Sequence, residues 1–261
     1  MNSPSLQDSL ADAGWGPVLK LRMRRHLALK IVGISAFIWI FFIGYFSLLR
    51  DPAYPPIVMP LVALDHMIPF QPAALFVYLS LWIYVGFAPG LQLTLLEFIV
   101  YGVWAALLSA AGLSLFYFWP TSVPPMAIDA GGFPGFALLQ GVDTAGNACP
   151  SMHVAFAIFS AIWVDRLLME SRAPIAFRIV NGAWFVAIAW STLAIKQHVV
   201  LDALAGAALG VLFAIVSLRL RLRSTRAASD RVAMPATPPD TALPSAIIDA
   251  SEHEMKRKVA T

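Results

Sequence analysis

The sequence predicts an all-α protein, a polytopic membrane helical bundle of about six transmembrane helices, and three observations carry that prediction. Of 261 residues, 59% are hydrophobic and 13% charged, with a mean hydropathy of +0.73, whereas a soluble domain carries about 25% charged residues. Apolar stretches approaching the roughly 20 residues needed to cross a bilayer recur six times. Finally, 16 of the 18 Lys and Arg residues fall in three segments that would share one face of such a bundle. This composition excludes an ordinary soluble protein, a disordered chain and a nucleic-acid binder with a basic face. The single cysteine, Cys149, cannot close an internal disulfide.

Residues 1–26 read as a cytoplasmic N-terminal segment: 1–19 show no clear periodicity and suggest a loose or surface-lying leader, and Lys20, Arg22, Arg24 and Arg25 precede the first span. The apolar run after Arg25 is too long for a cleavable signal peptide. Spans are expected over about 27–49, 73–87, 91–118, 151–168, 177–195 and 198–218, together a membrane domain over 27–219. Lys30, near the end of the first, is placed to snorkel to the interface. The proline-rich stretch 50–72 and the segment 119–150, with five prolines and Gly131-Gly132, are loops. Glu97 is expected about two turns inside the third span, against a neighbouring helix. Gly206-x3-Gly210 fits close helix packing. Residues 220–261, basic and then rich in Ala, Pro, Ser and Thr, read as a disordered cytoplasmic tail.

The basic residues set the expected orientation. Sixteen of them lie in the N-terminal segment, around the 165–178 loop or in the C-terminal segment, leaving Arg50 and Lys196 for the other side. Both termini are then cytoplasmic, and the loops 50–72, 119–150 and 195–197 face outward.

Three ionisable side chains stand at helix starts on that outer face: His153, His198 and Asp202. Such groups are costly near a membrane unless they face a polar cavity or a partner. His198 and Asp202, spaced i and i+4, lie on one helical face, where a carboxylate fixes an imidazole's tautomer and raises its basicity. His153 follows Pro150-Ser151, and the first turn of a helix offers unpaired N–H groups suited to an anion. Two histidines and a carboxylate on one face point to phosphoryl chemistry. A metal site of two histidines and one carboxylate is the rival reading.

The segment Asn147–Ala155, containing Pro150-Ser151-Met152-His153, resembles the Pro-Ser-x-His motif of the type 2 phosphatidic acid phosphatase superfamily. Ser191-Thr192, five residues, His198, three residues and Asp202 match the spacing of its Ser-Arg-x5-His-x3-Asp motif, with Thr192 in the arginine's place. Asp65-His66-Met67-Ile68-Pro69-Phe70-Gln71-Pro72 resembles a segment of the branch containing inositolphosphotransferases and inositol phosphorylceramide synthases. The first motif of the superfamily, Lys-x6-Arg-Pro, has no counterpart, because 114–135 contains neither lysine nor arginine.

The resemblance implies a metal-independent enzyme without cofactors. His198 would take up the phosphoryl group, Asp202 would hold its ring, and His153 would protonate the leaving group. Ser151 and the nearby backbone would cradle the phosphate oxygens. Read from the residues themselves, Lys196 and Arg50 are the cations left on that side for the phosphate, and Thr192 and Asn147 complete the expected phosphate-holding set; Asp143 and Asn147, ahead of the motif, suit either orienting the loop or substrate or a plain turn. The substrate would be a phosphorylated membrane lipid, attacked at the external face, with water or an alcohol such as inositol as acceptor. The alternative is a catalytically degenerate relative that binds a lipid or a partner protein.

Overall fold

The computed structural model describes residues 14–125 and 146–233, with side chains through Arg221. The expectations for residues 1–13, Gly131-Gly132, Asp143 and the tail beyond Ala233 lie outside these described residues.

Among the described residues the regular elements are helices, apart from one two-residue strand pair. Helix α1 is Trp15–Arg24 and α2 Leu27–Arg50. After strand β1 (Ile57–Val58) come the short α3 (Ala63–Met67), a 3-10 turn at Pro72–Ala74, α4 (Leu75–Leu79) and α5 (Leu81–Gly90). Helix α6 is Leu95–Phe118, β2 Thr121–Ser122, α7 Met152–Glu170, α8 Ile175–Ala194 and α9 Val200–Ala233. The chain divides into two units at Arg219 and Leu220; the description below concerns the first.

Six segments are long and apolar enough to cross a membrane: α2, Pro72–Gly90, α6, α7, α8 and Val200–Arg221. The protein is an integral multi-pass membrane protein. Helix α7 is central, with 61% of its most apolar window buried against 6% for α2. The outward faces carry large apolar side chains, such as Trp39 and Ile40 on α2 and Leu96 on α6. Water would not tolerate so broad an apolar surface, and lipid accepts it. Between helices, packing is supplemented by polar contacts: Tyr84 Oη donates to Asn181 Oδ1 (2.8 Å), Trp184 Nε1 to Ser80 Oγ (2.9 Å) and Trp163 Nε1 to Ser217 Oγ (3.0 Å).

Three expectations need correction at one end of the bundle. Residues 15–19 of the expected leader are not loose: they begin a helix over Trp15–Arg24, with Val18 and Arg22 buried and Trp15 against Phe177 (4.9 Å between centroids). Lys30 does not snorkel: it is buried, and Nζ donates to Arg22 O (2.6 Å) and Gly90 O (2.7 Å). Carbonyls near the ends of α1 and α5 lack intrahelical partners, so they draw in the ammonium. Glu97 lies in the first turn of α6, because the span starts at Leu95 rather than 91. It closes a capping box, accepting from Thr94 N while Thr94 Oγ1 accepts from Glu97 N (3.1 Å).

At the other end the loops knit together. β1 pairs in parallel with β2 (Ile57 opposite Thr121), and Ser122 bridges to Gly146. Ala148 N donates to Thr121 O (3.2 Å) and Cys149 N to Thr121 Oγ1 (2.7 Å). These bonds hold the approach to α7 over the helix ends.

Candidate active site

Three local structures bring the histidines together. Ser151 caps α7, its Oγ accepting from Val154 N (3.3 Å), so His153 lies in the first turn. Helix α8 ends in a Schellman turn: Lys196 is left-handed (φ 60), its N–H reaches Leu193 O (3.1 Å), and Gln197 N reaches Thr192 O (3.1 Å). His198 N donates to the same Thr192 carbonyl (3.2 Å), which brings the histidine back over the helix end. Helix α9 then starts at Val200, two residues later than expected, with Asp202 in its first turn accepting from Val199 N (3.0 Å). A carboxylate there also complements the helix dipole.

The starts of α7 and α9 are clamped directly, because Ser151 N donates to Asp202 O (2.9 Å). Gly206 and Gly210 permit this approach. A Cβ at Gly206 would lie 2.2 Å from Ser151 O, and one at Gly210 would lie 2.3 Å from Ala155 O. The spacing is therefore used for close packing of α9 on α7 within the bundle.

The rings of His153 and His198 stand 5.6 Å apart between centroids. His198 Nδ1 is 3.6 Å from Asp202 Oδ2, an ion-pair distance for a protonated ring rather than a hydrogen bond. Both residues are buried. Among the described residues, His198 Nδ1 and Asp202 Oδ1 have no hydrogen-bond partner. Tyr78, from α4, stacks on His153 (4.5 Å between centroids), and its Oη lies 2.6 Å from His153 Nε2. Tyr78, His153 and His198 line one end of a cavity of about 520 Å³ that extends between α2, α5 and α6.

Asp65 supports the site from the short helix α3. Its Oδ1 accepts from Val200 N (2.8 Å), capping α9, and its Oδ2 accepts from Val62 N (2.8 Å). The segment Asp65–Pro72 thus buttresses the histidine turn.

The five expected phosphate-holding residues separate. Asn147 lines the cavity, in a left-handed conformation (φ 50), with Nδ2 donating to Tyr45 O (2.9 Å). Ser151 is fully buried with its N–H committed to Asp202 O. Thr192 gives its hydroxyl proton to Ala189 O (2.8 Å), because a threonine near a helix end bonds back to the preceding turn. The ammonium of Lys196 donates to Asp65 O (3.0 Å) and to Ile68 O, which fastens that segment to the histidine turn. Arg50 lies exposed at the end of α2, over the Phe46 ring at 5.8 Å, and is not among the cavity-lining residues.

Residues 111–226 match the PAP2 superfamily model. That stretch contains His153, His198 and Asp202, and members of the PAP2 superfamily are phosphatases or phosphotransferases acting on lipid phosphates. No curated protein and no solved structure matches this chain. Asp65, Tyr78 and the cavity walls from α2 and α5 lie outside the residues matched to the PAP2 superfamily.

Sequence reasoning missed Tyr78 and Thr121. Tyr78 had one available signal: a hydroxyl in the first turns of an apolar span requires a partner. Thr121 had none, since its role depends on a loop 28 residues away. Cys149, beside the site but outside the spans, has its thiol pushed up to about 11, by burial first and by the Asp202 charge second.

Proposed function

We propose that this chain is a lipid phosphate phosphatase or phosphotransferase of the PAP2 type, working through a phosphohistidine at His198. The observation that carries the reading is the facing pair of histidines, 5.6 Å apart, at the polar end of a long apolar cavity, with Asp202 behind one of them.

With Nδ1 turned to Asp202, His198 presents Nε2 to phosphorus. The nitrogen forms the P–N bond as the ester P–O bond breaks, and His153 supplies a proton to the departing alkoxide. Water or an alcohol such as inositol then attacks phosphorus, His153 takes its proton, and the P–N bond breaks. Phosphoryl transfer of this kind rests on positioning and charge stabilisation. Tyr78 acts as a positioning residue for His153. Asn147, Ser151, Thr192, Lys196 and Arg50 are the proposed phosphate-holding set; Asn147 has the strongest support, since it lines the cavity. Lys196 has two carbonyl bonds and one ammonium proton left for an oxygen.

The site belongs on the external face, with both termini cytoplasmic, by the partition of 16 basic residues against two. The chain then comprises a cytoplasmic segment 1–26, a membrane domain 27–219 and a tail 220–261. The likeness of Asp65–Pro72 to the inositolphosphotransferase branch favours head-group transfer alongside hydrolysis. A second reading, a lipid-phosphate binder without turnover, is favoured by the commitment of Lys196 to carbonyls and by Thr192 at the arginine position.

The test incubates purified protein with lipid phosphates, with and without inositol. Free phosphate identifies a phosphatase and a new phosphate monoester of inositol a transferase. Turnover should survive chelators, be inhibited by vanadate and fall at least about 10³-fold in His198→Ala. Phosphate-lipid binding without release of either product would establish the binder. Loss in EDTA, restored by zinc or manganese, would establish a metal enzyme.

A further inference from the structure

Helix α1 crosses the end of the bundle away from the histidines. Its Arg22 reaches Leu91 O (3.2 Å) just after α5 and Glu170 (3.7 Å) at the last residue of α7. Its Trp15 ring lies against Phe177 in the first turn of α8. A ten-residue helix that meets the ends of three spans lies across them rather than beside them. His26, left-handed at φ 57, breaks the helix before α2 begins. Helix α1 is therefore held where the spans leave the hydrocarbon, at the level of the lipid head groups.

The two faces of α1 differ. Val18 and Arg22, four residues apart, are buried against the bundle, while Lys20 and Arg24 on the opposite face are exposed, with Arg25 half-buried beside them. Arg172, left-handed at φ 55 in the turn after α7, is exposed two residues beyond Glu170. The described acids at this end are already committed: Asp165 to Arg178, Glu170 to Arg166 and Arg22, and Glu97 to the cap of α6. Among the described residues, the side chains of Lys20, Arg24, Arg25 and Arg172 have no hydrogen bond or ion pair. Like charges held in one region repel one another, so this patch calls for anions from outside the chain. Large apolar side chains lie among the cations: Trp15, Leu21 and Met23 are each more than one-third exposed. That mixture suits the boundary between head groups and acyl chains rather than an aqueous partner.

We propose that α1 and the turn after α7 form a docking surface for anionic phospholipids of the adjoining leaflet, with Lys20, Arg24, Arg25 and Arg172 on the head-group phosphates. Arginine meets a phosphate through two parallel N–H bonds, and lysine meets it as a point charge. A zwitterionic lipid brings a cation along with its phosphate, which the unpaired cations repel; an anionic lipid brings none. Arg166 and Arg178 offer less to such a lipid, because carboxylates already hold them. The patch shares no residue with the histidine site, so its failure and that of the phosphoryl-transfer reading are separate events.

The test places the full-length protein in phosphatidylcholine nanodiscs doped with phosphatidylglycerol carrying a diazirine close to the glycerol, and maps adducts by mass spectrometry. Adducts on α1 and residues 171–174 should exceed those from a matched phosphatidylcholine probe at least about fivefold, the scale of one basic residue near a charged surface. Lys20→Gln with Arg24→Gln should lower this preference at least about fivefold, and about 0.5 M salt should lower it likewise. Arg178→Gln, which removes a paired cation, should leave the preference within about twofold. If the double variant does not fold, the two probes and the salt dependence in the wild-type chain still decide. Equal labelling of α1 by both probes, or a preference that survives the double variant and salt, would overturn the docking surface. Binding of soluble polyglutamate to the patch, with no preference between the lipids, would overturn it in favour of an acidic protein segment.

Discussion

The two ends of the bundle handle charge in opposite ways. At the end where α1, α5 and α7 terminate, each described ion pair binds structure to structure. Arg178 makes two bonds to Asp165 (2.6 and 3.1 Å), Arg166 meets Glu170 (3.0 Å), Arg22 approaches Glu170 (3.7 Å) and Lys30 caps two carbonyls. At the histidine end, His198 and Asp202 are buried and stand 3.6 Å apart beside a cavity, each with a side-chain atom lacking a partner among the described residues. Burial without full satisfaction is costly, so the site is held by its surroundings. These are the Schellman turn, the Asp65 cap and the Ser151–Asp202 clamp. One end uses charge to fix helices; the other uses backbone to fix charge.

The sharpest way to break this contrast is to remove charge from the histidine end without changing shape. Asp202→Asn keeps the volume and the Val199 N–H acceptor but loses the anion that orients and charges the imidazole. Turnover should fall by about 10²-fold or more, measured as kcat in detergent, with a melting curve near that of the wild type. Unchanged kcat would mean that Asp202 serves only as the cap of α9.

Lys196 comes next. A left-handed position at a helix end favours glycine, and a lysine retained there is explained by its bonds to Asp65 O and Ile68 O. Lys196→Met should therefore lower Tm by about 3–6 °C and kcat by about tenfold as the turn carrying His198 loosens. Asp65→Ala should lower Tm comparably through the other side of the same contact. A kcat loss in Lys196→Met without any change in Tm would assign the ammonium to the phosphate.

Tyr78→Phe removes one oxygen from the Tyr78–His153 contact and keeps the stacking. We expect kcat to fall about tenfold with KM little changed, together with a displaced pH profile, because the ring loses the group that fixes its tautomer. Equal loss in kcat at every pH would reduce Tyr78 to a packing residue.

How much of this was legible in the sequence follows from the range of each interaction. The six spans and the His198–Asp202 pair are local patterns, one in composition and one in helical spacing, and both are present in the structure. Glu97 was readable as well: Thr94-x-x-Glu97 is a capping signature, and the continuous apolar run from residue 91 obscured it. The roles of Lys30, Lys196 and Asp65 were not readable. Each reaches a carbonyl or N–H on another segment, 60 to 135 residues away, and nothing in composition specifies which helix end lies opposite. The cations drew attention as charges available to a phosphate, whereas unsatisfied helix ends compete for the same charges. The cavity was hidden for a related reason, since the stripe from Gly33 to Phe46 is one apolar face among several until α5 and α6 are set against it.

The smallest expected effect tests the other side of the comparison. Arg178 and Asp165 form a two-bond pair, which resembles the most important electrostatic contact in the molecule when judged by geometry alone. Both side chains are about one-third exposed, 33% and 35%, and water and salt screen a pair so placed. The pair joins α7 to α8 at the end away from the histidines. Its loss leaves the Ser151–Asp202 clamp and the Thr192 carbonyl untouched. The double variant Asp165→Ala with Arg178→Ala should keep kcat within about twofold of the wild type, with a small change in Tm that vanishes when the comparison is made at high salt. Reporter fusions in the 165–178 loop should also read cytoplasm in the wild-type chain. They should read periplasm or lumen more often in this variant if the lost arginine matters to orientation. A large fall in kcat would mean that the two ends are energetically coupled along α7, and that the contrast between a charge-fixed end and a backbone-fixed end is wrong.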